Sequence, residues 1–270
     1  MTQADVLAFR AELWEQYRLH GRPELPWRVA EAGGGFDPYK IMVSEFMLQQ
    51  TQVGRVIPKY RAFLEKFPTA EILAAASLGD VLRAWQGLGY NRRAKFLWQA
   101  AQHIVALGYF PDNVAELTKL SGIGPNTAGA IVAYAFNKPA VFIETNIRTV
   151  YLSHFFAHKS GIADKAIIEY VEATLDKSSP RKFYWALMDY GTHLKITGNL
   201  NMASKHYVKQ SKFEGSRRQI RGQVIRTLAD GQATSQELAR QIADERLATV
   251  LTELVAEQLI AKAGQYFKLA

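Results

Sequence analysis

The chain has 270 residues, carries 33 Lys and Arg against 25 Asp and Glu for a formal charge of +8, and contains no cysteine. Its length fits one large or two modest domains with a sizeable core, and the basic balance favours a polyanionic partner, nucleic acid first and an anionic membrane surface second. Without cysteine, disulfides, thiolate zinc sites and cysteine-ligated iron–sulfur clusters are excluded. Met1 to Arg10 carries Asp5 and lacks an apolar core, so no signal peptide is expected. No stretch approaches the roughly 20 apolar residues of a membrane span; a cytoplasmic protein without a membrane partner is expected.

Helical periodicity dominates. Phe9, Leu13, Trp14 and Tyr17 form one apolar face of a first helix. A loop rich in glycine and proline follows from Gly21 to Pro38. Helices are then expected over about 39–50, 53–67, 71–76, 78–86, 92–107 and 114–119, separated by turn signals such as Phe67-Pro68-Thr69 and Gly87-Leu88-Gly89. A buried helix over 128–136 and three more over 146–156, 164–175 and 180–193 complete an all-α body. Near Lys195 the apolar stripe stops and basic residues gather: Lys205, Lys209, Lys212, Arg217, Arg218, Arg221 and Arg226. Beyond lie helices over 220–228, 234–242 and 246–258, then a hairpin turning at Gly264. No strand pattern is visible before those last residues. Three helices and a hairpin outline a winged helix, with a plain helical tail as the alternative.

Three segments carry chemistry. In Leu117 to Ile131 a short helix, a Gly122-Ile123-Gly124 turn and a second helix near Asn126 make a hairpin. Gly122 and Gly124 permit backbone conformations closed to other residues and expose N–H groups at a helix N-terminus, where a phosphate oxygen can sit. The plainer reading is a glycine-capped turn between packed helices. In Ser44 to Val53, Glu45 lies within an apolar helical stretch, where burial raises a carboxyl pKa and lets it carry a proton near neutrality. Gln49, Gln50 and Gln52 offer amides suited to base edges. The alternative is a solvated glutamate with glutamines on the wet face. In Pro139 to Arg148 a buried run ends at Glu144, either a structural N-cap for the helix near Asn146 or a functional carboxylate.

Together with Leu25-Pro-Trp-Arg28, Trp85-Gln-Gly-Leu-Gly-Tyr90 and Ala186-Leu-Met-Asp-Tyr-Gly191, these segments resemble the helix-hairpin-helix glycosylase superfamily, and within it the MutY-type adenine glycosylases. The resemblance runs from about Leu25 to Gly191. It implies a two-domain helical fold with a DNA-binding cleft: a central bundle over 29–137, a second domain from 1–28 plus 138–204, and here a winged-helix-like extension over 213–270. It implies a glycosylase that flips its target base out of the duplex. Glu45 would protonate adenine, and Glu144 would stand where the family has its catalytic aspartate, with Asn146 beside it. Gln50 and Tyr90 would wedge into the duplex next to Gln49. Trp27, Arg28, Asn126 and Asp189 would line the base pocket, and Gly122, Ile123 and Gly124 would bind DNA.

The departures from that pattern are specific. Glu144 is one methylene longer than aspartate, and a shift of about 1 Å costs roughly a hundredfold in rate. Asn126 stands where bifunctional relatives place a lysine nucleophile, so the reaction is expected to stop at an abasic site, without lyase activity. The family's cysteine cluster is replaced by residues 192–211, where Lys195, Lys205 and Lys209 are expected to keep its phosphate contacts. No cofactor and no metal are expected. The C-terminal tail does not resemble the hydrolase-like domain by which adenine glycosylases recognise 8-oxoguanine. The expectation is a monomeric, monofunctional glycosylase acting on duplex DNA with a mispaired or damaged base, most simply adenine opposite 8-oxoguanine or guanine. Uracil, thymine or 5-hydroxyuracil is the alternative base, and a non-catalytic damaged-DNA-binding protein is the alternative class.

Overall fold

The computed structural model describes residues 1–198, 200–205, 207 and 212–270. In chain order the helices are α1 (Gln3–His20), α2 (Pro38–Leu48), α3 (Val53–Lys66), α4 (Ala70–Ala75), α5 (Leu78–Ala84), α6 (Arg92–Leu107), α7 (Val114–Leu117), α8 (Pro125–Phe136), α9 (Thr145–Phe155), α10 (Asp164–Thr174), α11 (Pro180–Thr197), α12 (Arg217–Asp230), α13 (Ser235–Gln241) and α14 (Leu247–Ala256). Short 3-10 turns fall at Pro26–Arg28 and Leu200–Ala203. Local chemistry sets many of the boundaries. Thr2 with Asp5 and Thr234 with Glu237 form capping boxes at α1 and α13, and Thr69, Ser77, Asn113 and Ser216 accept from backbone N–H groups at four further helix starts. Gly108 ends α6 in the left-handed conformation.

Each helix expected from periodicity is present, most with ends within a turn of the expected position. α11 runs four residues past the expected His193 to Thr197. The apolar stripe does fade there, but Thr192 bonds back to the Met188 carbonyl and Lys195 is tied to Asn146, so the helix continues without it. A strand also appears earlier than expected. β1 (Ala233–Thr234) pairs antiparallel with β3 (Tyr266–Leu269), which pairs in turn with β2 (Ile260–Ala263), giving the order β1-β3-β2. Two residues are too few to show alternation, so β1 leaves no trace in the sequence.

The chain gathers into two compact units, Met1–Ile41 with Pro111–Lys119 and Ile123–Lys209, and Met42–Phe110 with Leu120–Gly122 and Gln210–Ala270. This partition differs from one that keeps 29–137 whole and sets 213–270 apart. α8 packs inside the first unit, where Gly129 leaves room for Phe142, Phe142 stacks on Tyr184 at 4.1 Å, and Arg181 donates to the carbonyls of Tyr134 and Ala135 at its end. The C-terminal residues pack with 42–110 in the second unit. Arg83 donates to the Ala229 carbonyl at 3.0 Å, Lys95 to the Glu257 carbonyl at 2.7 Å, and Gly79 meets the Ala270 carbonyl.

The first unit is built on α1, α9, α10 and α11. Leu13, Tyr151, Phe183 and Tyr184 are fully buried, and Arg10 closes the end of α10 by donating to the Thr174 and Leu175 carbonyls. α9 and α11 meet so closely at Gly191 that a Cβ there would lie 2.3 Å from the Asn146 carbonyl oxygen. Asp189, 2% exposed, takes both oxygens into a double fork: Arg22 bonds it through its backbone N and guanidinium, and Arg28 through Nη1 at 2.6 Å and Nη2 at 3.1 Å. After α11 the chain is fastened by a buried Asn201, whose amide donates to Thr149 Oγ1 at 2.7 Å, and by a parallel bridge between Ile162 and Ser204.

Two stability outcomes follow. Gly191→Ala forces α9 and α11 apart and should cost about 1–3 kcal/mol, measured by urea unfolding. Asp189→Ala strands two arginines, one of them buried; the same measurement should show a loss of about 3–5 kcal/mol.

Candidate active site

Glu45 sits in α2 between side chains that see no water: Met42, Val43, Phe46 and Met47 are all fully buried, and Glu45 itself is 8% exposed. The solvated alternative for this residue is therefore excluded. α2 ends at Leu48, and the next residues turn sharply, with Gln50 in the left-handed region at φ 54°. Arg93, which sequence reasoning did not single out, fixes that turn. Its Nη1 donates to the carbonyls of Phe46, Met47 and Gln49, and its Nη2 to Thr51 Oγ1 and to the carbonyls of Leu88 and Gly89. One guanidinium thus satisfies the end of α2, whose carbonyls would otherwise lack partners. Burial lowers its pKa to about 10, so it stays charged at neutrality. Tyr90, also left-handed at φ 47°, lies with its ring 5.5 Å from the same guanidinium. Gln49, Gln50 and Tyr90 line one cavity.

The hairpin glycines have different duties. Gly122 needs to be glycine: its φ is 74°, and a Cβ would stand 2.6 Å from Phe96 Cβ. Gly124 does not, with φ −84° at the N-cap of α8, which corrects the expectation that both glycines adopt conformations closed to other residues. What Gly124 offers is bareness, because nothing lies within 4 Å of where a Cβ would be. Ile123 between them is buried and anchors the turn.

In the first unit, Asn126 at the start of α8 accepts through Oδ1 from the Ile143 backbone N–H at 3.3 Å, tying α8 to the strand of chain that delivers Glu144. Glu144 occupies the N-cap position of α9, yet its carboxylate makes no capping hydrogen bond. The structural-cap explanation therefore fails. Glu144 is half-buried, and burial pushes its pKa up, opposed by the positive charges of Lys195 and Arg148. Arg148 is forked onto Asp164 at 2.8 and 2.7 Å. Lys195 donates to Asn146 Oδ1 at 2.5 Å, and burial lowers its own pKa. Lys195, expected as a phosphate contact, thus lends its ammonium to Asn146 and its charge to the surroundings of Glu144.

Trp27 and Arg28 are buried, and Arg28 lies 5.4 Å from the Trp185 ring centroid. Asp189 was expected to line a base pocket, but its oxygens are taken by Arg22 and Arg28, which makes it an anchor for the 3-10 turn that carries Trp27. Lys205 is exposed, with its backbone N–H bonded to the Ile162 carbonyl. Lys209 lies outside the described residues. The iron–sulfur cluster of the resembling family does not fit this chain, which has no thiolate to ligate it. Among the described residues no three His, Asp or Glu come together as a metal site.

Comparison with known proteins gives the family and the fold. Residues 43–176 match the HhH-GPD superfamily of base excision DNA repair proteins. The adenine DNA glycosylase of Mycolicibacterium smegmatis is 34% identical over 232 residues, covering 78% of this chain and 77% of that one. That of Buchnera aphidicola subsp. Baizongia pistaciae is 33% identical over 222 residues, covering 77% of this chain but only 61% of the relative. Among solved structures, a thermostable thymine-DNA glycosylase superposes with a TM-score of 0.59 at 25% identity, over 70% of this chain and 86% of that one. An endonuclease III–DNA covalent intermediate superposes at 0.57 and 19% identity, over 72% and 88%, which speaks to the fold alone. A buried glutamate on α2, a glycine hairpin and a non-capping carboxylate on α9, set in this fold and this sequence kinship, place the chain in the HhH-GPD superfamily of base excision DNA repair proteins, on the branch of the adenine DNA glycosylases.

Proposed function

We propose that the chain is a monofunctional DNA N-glycosylase that removes adenine mispaired with 8-oxoguanine or guanine. The observation that carries this reading is a pair of carboxylates on two helices: Glu45, buried inside the apolar α2, and the half-buried Glu144, at an N-cap it does not cap. In this reading Glu45 gives its proton to a ring nitrogen of the flipped adenine. The bond from C1′ to the base breaks with its electrons going to the base. Glu144, ionised, stabilises the sugar cation, and water adds at C1′, its proton returning to the carboxylate of Glu45, to leave free adenine and an abasic site. Asn146 and Lys195 position Glu144 and moderate its charge. Asn126 supplies an amide where a lysine would be needed for strand cleavage, so the reaction ends at the abasic site.

The partner is duplex DNA, gripped at Gly122–Gly124 through backbone N–H groups and bound by one protein chain in the cytoplasm. The order α12, β1, α13, α14, β2, β3 supports reading residues 213–270 as a winged-helix-like module. A second reading changes the base to uracil, thymine or 5-hydroxyuracil. Glu144 in place of the shorter aspartate and the likeness to a thymine-DNA glycosylase favour it.

A panel of end-labelled duplexes treated with the purified chain and then alkali tests both. Cleavage at adenine opposite guanine and 8-oxoguanine is expected. Silence at both, with cleavage at a pyrimidine lesion, moves the assignment to the second reading. Glu45→Gln should lower the single-turnover excision rate at least about a hundredfold, the lower end for a lost general acid; an unchanged rate removes Glu45 from the mechanism.

Lys195 supplies a sign to check. Its positive charge opposes the upward push of burial on Glu144. With Lys195→Met that opposition weakens, Glu144 ionises at higher pH, and the acid limb of the excision rate should move up. A limb that stays put or moves down would show that Glu144 is not the group titrating there.

A further inference from the structure

Within the first unit, the first turn of α9 follows Glu144 at its N-cap and contains Asn146. Three contacts from later in the chain grip this turn. The backbone of Asn146 lies against Gly191, and the side chain of Asn146 takes the Lys195 ammonium. The third contact runs through residues that no motif marks. Asn201, in the 3-10 turn beyond α11, is 4% exposed and donates through Nδ2 to Thr149 Oγ1 at 2.7 Å. Thr149, fully buried one turn into α9, spends its single hydroxyl proton on the Thr145 carbonyl at 2.8 Å. The relay therefore has a fixed direction, from amide to hydroxyl to carbonyl, and it ends on the residue next to Glu144.

Two features set this relay apart from ordinary packing. Asn201 keeps its Oδ1 buried without a donor among the described residues, and a buried unpaired acceptor costs stability. Were fastening its whole role, an apolar pair in place of Asn201 and Thr149 would serve without that cost. A threonine inside a helix also divides between two rotamers, and the bond to the carbonyl four residues back tends to bend the helix. Asn201 holds the Thr149 hydroxyl in that bonded state. Glu144 has no capping hydrogen bond to fix its carboxylate, so its place follows the backbone of the turn behind it.

We propose that Asn201, acting through Thr149, is a positioning residue for Glu144: the relay sets the backbone of the first turn of α9 and with it the place of the carboxylate. The inference rests on the glycosylase reading, in which Glu144 stabilises the sugar cation. Glutamate has one more rotatable bond than aspartate, and a shift of about 1 Å at a reacting group costs roughly a hundredfold in rate. Holding the turn beneath Glu144 limits that shift. The segment beyond α11 thereby takes part in the chemistry without touching the substrate.

The test separates the chemical step from binding. Single-turnover excision is measured with the full chain in saturating excess over the duplex that wild type cleaves in the lesion panel. Affinity is measured on the same duplex carrying a tetrahydrofuran abasic analogue. Thr149→Val, which removes only the hydroxyl's polarity, and Asn201→Ala should each lower the rate about tenfold or more while affinity stays within about twofold of wild type. Thr149→Ser, which keeps the hydroxyl, should retain most of the rate. The double variant Thr149→Val with Asn201→Ala should be no slower than the slower single one, because both break one relay. Unchanged rates, a parallel fall in rate and affinity, or additive losses overturn the proposal. So does a failure of both single variants to fold, which would show a fastening role alone; if only Asn201→Ala fails to fold, Thr149→Val against Thr149→Ser decides. A wild type silent on every duplex removes the glycosylase reading, whereas an active wild type with unaffected variants removes this inference alone.

Discussion

The guanidinium of Arg93 is the constraint on which the second unit's candidate site depends. A helix that ends in the interior leaves carbonyls needing donors, and α2 ends next to the residues expected to meet DNA. Arg93 reaches back 44 to 47 residues to take the carbonyls of Phe46, Met47 and Gln49, and with its other nitrogen takes Leu88 and Gly89. The turn that carries Gln50 and the turn that carries Tyr90 are thereby fastened to a single planar group. Each of those residues holds a left-handed backbone that costs a non-glycine residue of order 1–3 kcal/mol and persists only where the surroundings over-determine it. A lysine would not substitute, because a single ammonium cannot fan donors in one plane to carbonyls on two turns.

The first unit meets the same problem with an anion at its centre. Asp189 collects Arg22 and Arg28, and the close approach at Gly191 brings α11 against the first turn of α9. That approach lets Lys195, one helical turn beyond Gly191, reach Asn146. A buried carboxylate is unfavourable unless charge or hydrogen bonds compensate it, and Glu144 has neither a capping role nor full exposure to water. Its positive neighbours differ in freedom. Arg148 is committed to Asp164, so the charge that can respond to the carboxylate's own ionisation is that of Lys195.

How far the sequence discloses all this depends on the range of each contact. The helices were legible from apolar spacing, but the caps at Thr2, Ser77 and Ser216 were not singled out, and α12 starts at Arg217, before the expected 220, because Ser216 caps it over three residues. The burial of Glu45 was legible from its apolar neighbours, and the need for glycine at Gly122 from the hairpin pattern. The roles of Arg93, Lys195 and Arg218 were not. Arg93 meets carbonyls 44 to 47 residues away, Lys195 meets Asn146 across 49 residues, and Arg218 meets Tyr90 across 128. In each case the side chain looks like one more surface cation in a basic protein. Only the fold distinguishes a cation that neutralises phosphate from one that closes a helix end or faces a carboxylate. Asp189 misled for the related reason that resemblance transfers a position, while its hydrogen bonds are set by the two arginines this chain brings to it.

The segment after α11 shows how a missing cofactor changes a local folding problem. A cluster bound by four cysteines would tie the chain after α11 together by itself. Here the tie is distributed: Asn201 is buried with its amide on Thr149, Ser204 sits in a parallel bridge to Ile162, and the Lys205 N–H returns to the Ile162 carbonyl. Thr149 Oγ1 itself donates to the Thr145 carbonyl, inside the first turn of α9. Hydrogen bonds of this kind contribute about 0.5–1.5 kcal/mol each, so several are needed where covalent-like ligation would serve alone. One anchor point, Thr149, is on α9, the helix that Glu144 precedes at its N-cap; the other, Ile162, lies between α9 and α10. The arrangement therefore links the geometry of the candidate carboxylate to the fastening of the segment beyond α11, and it does so with side chains that need neither metal nor redox control.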